Sequence, residues 1–449
     1  MPTLDFALNA PDATVVWAVR ADEYTAGNWP DRIGSADAVQ ATEGQQPSAV
    51  ADGGSDFNNQ PVVRGDGVDN YLRNDTLTVS QPYTYIVIGK LTQDNAGNKF
   101  LLSTPSGSRV EVLFDLNEEL DLFAGAVMNG GSGDMLDAPA LMECLYNGAS
   151  SMVRVNNLET GTGNPGANNN ATGLQVFCNQ GRTTFCGADI AEILVIDGEL
   201  TAADRRYLAQ YANQRYGIAI PFPQTAAPTP SSFSSASVNH NVNMPPVVKA
   251  GDLLFALVSL RGSGDSGGVT TPSGWTLLAS AGAASFRGWY VKVADGTEGG
   301  TTVNFVSGNT CGGAAQVYRV TEWHGGIVSG VSIGEEQTTS TSTPNPPEVS
   351  TSWGSAKNLF FAAVLANDGD ETLVSAPTNY ADEVRTVGGA GFGFSAAVYS
   401  ARRELEASSD DPGAFTLGFT DFCGSRTLVI RPIATIPLAA GSGIMAAGL

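Results

Sequence analysis

The chain has 449 residues, 42% of them hydrophobic and only 15% charged, with 53 glycines and 23 prolines. Because a single hydrophobic core rarely organises more than roughly 250 to 300 residues, we expect two or three domains. The net charge of −22 excludes nucleic acid as a partner, since phosphate backbones are bound by clustered cations. Many glycines and prolines with few charged residues favour short strands and tight turns, which indicates an all-β fold.

Residues 1–20 lack the basic segment and the continuous apolar run of a secretory signal. The longest apolar run elsewhere, residues 359–366, is much shorter than the roughly 20 residues that a spanning helix needs. We therefore expect a protein that is made in the cytoplasm, carries no signal peptide and does not insert into a membrane.

A first domain is predicted for residues 1–220. Alternating or short apolar runs, bounded by Gly, Asn and Pro, predict successive strands from residue 83 onward. One helix follows, because Thr201 can cap it with Asp204 three residues later, and Gly217 ends it. Four prolines within residues 221–232 predict a stiff linker to the next domain.

An internal repeat fills a second domain, residues 233–433. GDLLFALVSLRGSGD near 251–265 matches KNLFFAAVLANDGD near 357–370, and further pairs follow in order at a spacing of about 101 to 112 residues. The copies, about 233–330 and 331–433, predict a duplicated β-sandwich, built either as two small sandwiches or as one with pseudo-twofold symmetry. We expect the halves to pack closely, and residues 434–449 to form a tail of small side chains.

Two stretches of the first domain carry a family resemblance. NQPVVRGDGVDNYL at 59–72 is similar to a strand–turn–strand opening, and residues 189–217 are similar to a last strand with a short helix beneath the sheet. Residues 12–220 therefore resemble the concanavalin A-like lectin/glucanase (laminin G-like) jelly-roll family, which includes lectins, glycosidases and architectural modules. Sequence segments of the second domain, such as VKAGDLLFALVSLRG and WYVKVADGTEGGT, resemble repeated β domains of tailed-bacteriophage fibre and appendage proteins.

The strand ELDLF is the strongest enzyme signal. Laminarinase-type members of the resembled family carry E-x-D-x-E, and strand alternation places Glu119, Asp121 and Phe123 on one face. Phe123 replaces the third carboxylate, whereas retaining hydrolysis needs two carboxyls about 5 to 5.5 Å apart, so we expect no catalytic residue. A Ser-His-Asp triad is not supported, because His240 and His324 are the only histidines. The chain is therefore predicted not to be an enzyme.

Other ligand signals are weak. The five cysteines form no CxxC pair, so we expect buried thiols, with disulfides left open. Oxygen-rich loops at 51–59 and 129–137 leave calcium open against ordinary turn chemistry, and no other cofactor is expected. Trp29, in a Gly-Asn-Trp-Pro loop, is the expected surface-accessible platform for a sugar, whereas Trp275 and Trp289 are expected in the core.

The two resemblances together imply a structural virion protein of a tailed bacteriophage. We expect a tail or head fibre or capsid decoration subunit on the virion surface, made in the host cytoplasm. Its partners would be other virion proteins and host-surface polysaccharide, with assembly as a homo-oligomer, most simply a trimer that multiplies weak sites. Two alternatives stay open: a purely architectural particle protein without glycan binding, and a polysaccharide-cleaving glycoside hydrolase.

Overall fold

The computed structural model of the chain describes residues 5–94, 97–262, 266–282, 285–367, 372–389 and 393–433. These residues divide at Ile220 and Pro221 into two compact units, called unit 1 (up to Ile220) and unit 2 (from Pro221). Most of the regular structure is β-strand, which confirms the all-β fold. The tail predicted at 434–449 lies outside the described residues. No helix among the described residues is long and apolar enough to cross a membrane.

The α-helices of the described residues are few and mostly short. They are α1 (Phe6–Asn9), α2 (Ala202–Tyr216) and α3 (Ile327–Gly330), with single 3-10 turns at Ala21–Glu23, Glu43–Gln45, Ser55–Phe57 and Gly148–Ser150.

Unit 1 is built from short antiparallel strands. They are β1 (Thr14–Arg20), β2 (Asn28–Trp29), β3 (Ala38–Val39), β4 (Ser48–Val50), β5 (Val62–Asp66), β6 (Leu72–Asn74), β7 (Tyr83–Leu91), β8 (Lys99–Ser103), β9 (Glu111–Phe114), β10 (Leu120–Phe123), β11 (Val127–Asn129), β12 (Ala140–Tyr146), β13 (Ser151–Val155), β14 (Leu158–Gly163), β15 (Leu174–Val176) and β16 (Gly187–Asp197).

These strands form two sheets that face each other across one hydrophobic core. The first sheet has the order β14-β13-β12-β7-β16-β5-β4, with β1 also paired to β16, and the second has the order β11-β10-β9-β8-β15-β6-β3-β2. Residues of β16 are buried on both faces, because α2 and its neighbours cover the outer side of the first sheet. A strand buried on both faces reads as a nearly continuous apolar run.

Helix α2 confirms the predicted caps. Thr201 accepts from the backbone N–H of Asp204, the Asp204 carboxylate accepts from the backbone N–H of Thr201, and Gly217 takes the left-handed conformation with φ 72°. The helix is joined to the first sheet by a buried carboxylate, since the hydroxyls of Tyr211 and Tyr216 both donate to Glu192. Burial raises the pKa of Glu192, and these hydrogen bonds oppose that effect.

Unit 2 has longer strands. They are β17 (Gln224–Thr225), β18 (Thr229–Asn243), β19 (Leu253–Gly262), β20 (Val269–Thr270), β21 (Thr276–Ala281), β22 (Ser285–Val293), β23 (Thr302–Thr321), β24 (Val331–Ile333), β25 (Gln337–Thr341), β26 (Val349–Ser350), β27 (Ala356–Ala366), β28 (Leu373–Ser375), β29 (Ala381–Gly388), β30 (Ala396–Ala407), β31 (Ser409–Asp410), β32 (Thr416–Leu417) and β33 (Asp421–Ile430).

Each copy of the repeat forms one main sheet with the same strand pattern. The order is β17-β23-β19-β22-β21 in the first copy, with β18 and β20 also on β23, and β24-β33-β27-β30-β29 in the second, with β25 also on β33. The prediction that residues 221–232 form a linker was wrong, because strands begin within them. Gln224–Thr225 pairs with β23, and β18 begins at Thr229. Its prolines fit because edge strands tolerate a residue without an N–H.

The two copies share one central hydrophobic layer. Side chains from both copies pack there, while each copy buries a second layer on the other side of its own sheet. Phe255 and Phe361 occupy the same position in the two copies, 106 residues apart, and their ring centroids are 5.3 Å apart. The copies therefore form one double-sheet body with pseudo-twofold symmetry, which agrees with the close packing expected from the repeat.

The cysteines are free and buried, as expected. Burial raises the pKa of Cys178 and Cys186 to about 12. Both thiols are therefore un-ionised near neutral pH and behave as small apolar side chains.

Candidate functional site

The second sheet of unit 1 has a face with no helix packed on it among the described residues. Because α2 covers the first sheet, this surface, called here the outer face, is the sheet face of unit 1 that no helix of the described residues covers. Its side chains alternate along each strand with core residues such as Leu72, Val112 and Leu122, which are buried.

Cross-strand pairing aligns one residue from each of seven strands into a single row across the outer face. This row, called the polar row, runs Val39, Arg73, Gln175, Ser103, Glu111, Phe123, Val127. Polar and charged side chains occupy its middle, and its ends are open, since Val39 and Val127 are exposed. The outer face therefore differs in chemistry from the apolar core face of the same strands.

A loop covers the middle of the polar row. Ser103 donates to the carbonyl of Cys178 at 2.7 Å, and the Gln175 side-chain amide donates to the carbonyl of Asn179 at 3.1 Å. Both side chains are fully buried. The Gln175 side-chain oxygen has no hydrogen-bond partner among the described residues, so this acceptor is available if the loop moves.

An arginine stacks on an aromatic ring at one end of the polar row. The Arg182 guanidinium lies 5.4 Å from the ring centroid of Tyr71 and donates to its hydroxyl at 3.2 Å. Tyr71 is half-buried and Arg182 is exposed. Neighbouring Arg73 is ion-paired with Asp75, whereas no carboxylate of the described residues lies within 4.0 Å of Arg182.

A second arginine–aromatic pair lies at the other end. The Arg109 guanidinium is 4.8 Å from the ring centroid of Phe123, and it is ion-paired with Glu111 at 2.5 Å. Glu111 is 1% exposed whereas the Arg109 side chain is 48% exposed. Arg109 therefore shields the carboxylate of Glu111 from solvent and presents its own cation.

The predicted strand ELDLF lies at this second end. Asp121 and Phe123 share the outer face as alternation predicts, and Glu119 precedes the strand. Asp121 is buried, and it accepts from the backbone N–H of Gly130 at 3.0 Å. Burial raises the pKa of Asp121, the Gly130 bond opposes that shift, and the nearby carboxylates of Asp115 and Glu119 add to it.

The accessibility expected for Trp29 was wrong. Trp29 is 0% exposed and belongs to the core of unit 1, because the pairing of β2 with β3 turns its ring inward, where it meets Tyr24 edge-on at 6.1 Å. A ring without exposed surface cannot stack against a sugar. Trp275 and Trp289 are buried in unit 2, which confirms their core placement.

The oxygen-rich loops use their side chains locally. Asp52 accepts from the N–H of Gly54, Asn129 from that of Gly131, and Asp134 from that of Leu136, each at 2.8 Å. The described residues contain no group of three or more His, Cys, Asp or Glu side chains arranged to hold a metal. Calcium therefore stays a hypothesis for these loops.

His240 is buried and belongs to no triad among the described residues. His240 is fully buried, and its Nε2 lies 2.9 Å from the Ser307 hydroxyl. That hydroxyl donates onward to the carbonyl of Asn309 at 2.7 Å, so it accepts from His240. The other ring nitrogen has no hydrogen-bond partner in the part of the chain that the structure describes, and burial lowers the pKa of His240 to about 4.

Searches among known proteins return only solved structures. No protein-family model matches the chain, and no curated protein matches it. A sialidase of Trypanosoma rangeli, solved with the inhibitor DANA, matches at 16% identity and TM-score 0.35 over 44% of this chain and 33% of that chain. This chain thus spans about a third of the sialidase chain.

Two smaller proteins match nearly along their whole length. One is domain 4 of AbnA, a GH43 extracellular arabinanase from Geobacillus stearothermophilus, at 14% identity and TM-score 0.36 over 44% of this chain and 98% of that one. The other is the carbohydrate-binding module CBM66 from Bacillus subtilis, at 12% identity and TM-score 0.25 over 34% and 92%. At these scores no residue of this chain takes a role from them.

The prediction that the chain is not an enzyme was wrong. Sialidases and a domain of an arabinanase are among the solved structures that the chain matches. Nothing in these matches concerns a bacteriophage fibre, and that part of the sequence prediction stays a proposal.

Proposed function

We propose that the protein binds carbohydrate on the outer face of unit 1. The observation that supports this best is the polar row with an arginine–aromatic pair at each end. Sugar rings offer apolar C–H faces that pack on aromatic rings, and their hydroxyls need the few well-placed polar groups that fix a ligand's orientation. The strands β6 and β10 lie four strand spacings apart, about 19 Å, so the face suits an extended chain of several sugars.

A binding experiment on the full chain tests this proposal. We expect the double variant Tyr71→Ala, Arg182→Ala to bind a glycan found by array screening about 10- to 100-fold more weakly, because it loses a stacking surface and a charged donor. Arg206→Ala is the matched control, since it removes a cation from α2 on the other side of the sandwich. Equal loss in both variants, or no loss in the double variant, would contradict the proposal.

Hydrolysis of the bound glycan is a second candidate, favoured by two carboxyl groups on the outer face. Glu111 and Asp121 are diagonal neighbours on β9 and β10, where backbone positions lie about 7–8 Å apart, so their carboxyl groups can lie at a similar separation. Inverting hydrolases hold their two carboxyls roughly 6.5–9.5 Å apart to leave room for water. The raised pKa of Asp121 suits a proton donor to the leaving oxygen. Glu111, once released by Arg109, suits the base that takes a proton from the attacking water.

A reducing-end assay separates hydrolysis from binding alone. Turnover that Asp121→Asn abolishes while leaving glycan affinity unchanged supports the hydrolase. Binding without turnover on any glycan that the array identifies leaves the protein as a carbohydrate-binding protein.

The place of the protein in a virion is also a proposal. It is supported by the likeness of the second-domain phrases to phage fibre proteins, and it includes a homo-oligomer, most simply a trimer, on the particle surface. Immunogold labelling of purified particles tests the location, and light scattering on the recombinant chain tests the assembly. A monomer at tens of micromolar in moderate salt contradicts self-association.

A further inference from the structure

Trp353 is the one tryptophan of the chain that is not buried. The other five, Trp17, Trp29, Trp275, Trp289 and Trp323, are at most 7% exposed. Trp353 is half-buried. One part of it packs against the outer hydrophobic layer of the second copy, and its ring N–H donates to the Asn358 side chain at 3.1 Å. The indole is therefore held in place and still presents surface to solvent.

Arg431 lies beside this ring without a counter-ion. Its guanidinium is 5.7 Å from the ring centroid of Trp353, and its one hydrogen bond among the described residues reaches the carbonyl of Ser329 at 3.5 Å, a long contact. No carboxylate of the described residues lies within 4.0 Å of it. In a chain with 45 acidic and 23 basic residues, Arg431, like Arg182 of unit 1, lacks an acidic partner among the described residues.

The electrostatic setting of Arg431 differs from that of other half-buried arginines. Carboxylates raise the pKa of Arg20 and Arg32 against the effect of burial. Burial lowers the pKa of Arg431, and no carboxylate offsets it. A charge that is removed from water without being paired costs free energy. A bound anion would therefore provide the partner that Arg431 lacks among the described residues.

We propose that Trp353 and Arg431 form a binding site for an acidic sugar, a glycan unit that carries a carboxylate or sulfate group. The flat guanidinium can bind such a group through two parallel N–H donors. The exposed part of the indole packs against the C–H face of the same sugar ring. A free anion contacts only the guanidinium, and a neutral sugar lacks the charge-assisted pair of hydrogen bonds with Arg431.

This site is independent of the outer face of unit 1. It uses other residues, in unit 2, so it stands whether or not the proposed function of unit 1 holds. Calorimetry on the full chain with Tyr71→Ala and Arg182→Ala already in place weakens the outer face of unit 1, and the further loss caused by Arg431→Gln in that background then measures the affinity that depends on unit 2.

The probes are trigalacturonate, heparin-derived tetrasaccharide, maltotriose and sodium acetate. We expect the two acidic oligosaccharides, or one of them, to bind, and maltotriose and acetate to bind at least about 10-fold more weakly, since each lacks one half of the recognition. Binding should weaken as salt rises, because the charged pair is partly exposed. Equal affinity for trigalacturonate and maltotriose, or equal affinity for trigalacturonate and acetate, would overturn the proposal.

Substitutions locate the site. Arg431→Gln should weaken binding about 10- to 100-fold, and Arg431→Lys should recover only part of it, because lysine keeps the charge but not the planar pair of donors. Trp353→Phe keeps an aromatic ring in the same packing and guards against a folding defect. Lys357→Gln is the matched control, since Lys357 also lies over a ring, that of Phe222 at 5.8 Å. A loss as large in Lys357→Gln as in Arg431→Gln would show a general charge effect and refute the site.

Discussion

Acid should destabilise unit 2 through His240. Its pKa is about 4 in the folded protein against about 6.5 in an unfolded chain, so the unfolded state binds the proton first as pH falls. The contribution of His240 to the free energy of unfolding is therefore almost complete above pH 6.5 and declines between pH 6.5 and 4. One pKa unit corresponds to about 1.4 kcal/mol, so the full effect of the change in pKa from 6.5 to about 4 is about 3.4 kcal/mol, with about 2 kcal/mol of it lost between pH 7 and pH 5.

The test compares urea unfolding of the wild type and His240→Gln at pH 7 and at pH 5. Glutamine keeps a donor for the Ser307 hydroxyl and does not titrate. Hydrogen exchange of peptides from β18 and β23 reports the unfolding of unit 2 alone. We expect the drop in unfolding free energy from pH 7 to pH 5 to be about 2 kcal/mol smaller in the variant.

Other titrating groups do not obscure this difference, because both proteins contain the same carboxylates. Equal pH dependence in the two proteins would refute the reasoning, since it would mean that His240 accepts its proton in the folded protein as readily as in the unfolded chain. A variant less stable at pH 7 but with a flatter pH profile would still agree with it.

Three further outcomes are expected. Thr201→Ala should lower the unfolding free energy of unit 1 by about 1 kcal/mol through loss of the cap, measured by urea denaturation, and Thr201→Ser should restore it. Phe255→Ala should cost about 3–5 kcal/mol and lower the melting of both repeats together in calorimetry, because the central layer is shared; separate transitions would contradict that layer. Asp121→Asn should be at least as stable as the wild type at pH 7, because the raised pKa of Asp121 means that its charged form is disfavoured in the fold. At pH 3 the variant should gain no stability, because the Asp121 carboxyl is then neutral in the folded and the unfolded protein. A lower melting temperature of the variant at pH 7 would argue against this.

Local sequence chemistry predicted the elements whose signals are local. The cap at Thr201, the left-handed Gly217 and the alternation at Asp121 depend on residues a few positions apart, and all three appear as predicted. The repeat was readable because equal spacing of matched phrases does not require knowledge of the fold.

Properties that depend on distant pairing were not predictable. Trp29 looked exposed in its Gly-Asn-Trp-Pro loop, and only the pairing of β2 with β3 buries it. Trp353 and Arg431 meet although they are 78 positions apart, and no local pattern indicates that contact. The prolines of 221–232 suggested a spacer, because the sequence alone does not show that they lie in or next to an edge strand, where a residue without an N–H is tolerated.

The contact of Phe255 with Phe361 has a consequence for the history of unit 2. Matching residues of two identical molecules meet only on a twofold axis, so unit 2 has the arrangement of a homodimer joined into one polypeptide. A homodimer must accept the same side chain on both sides. The joined chain can carry different side chains at matching positions. Trp289 pairs with Leu257 in the first copy, whereas Ser400 pairs with Ala363 at the matching position of the second. The joining of the copies in one chain therefore allows each half of the shared layer to carry its own side chains.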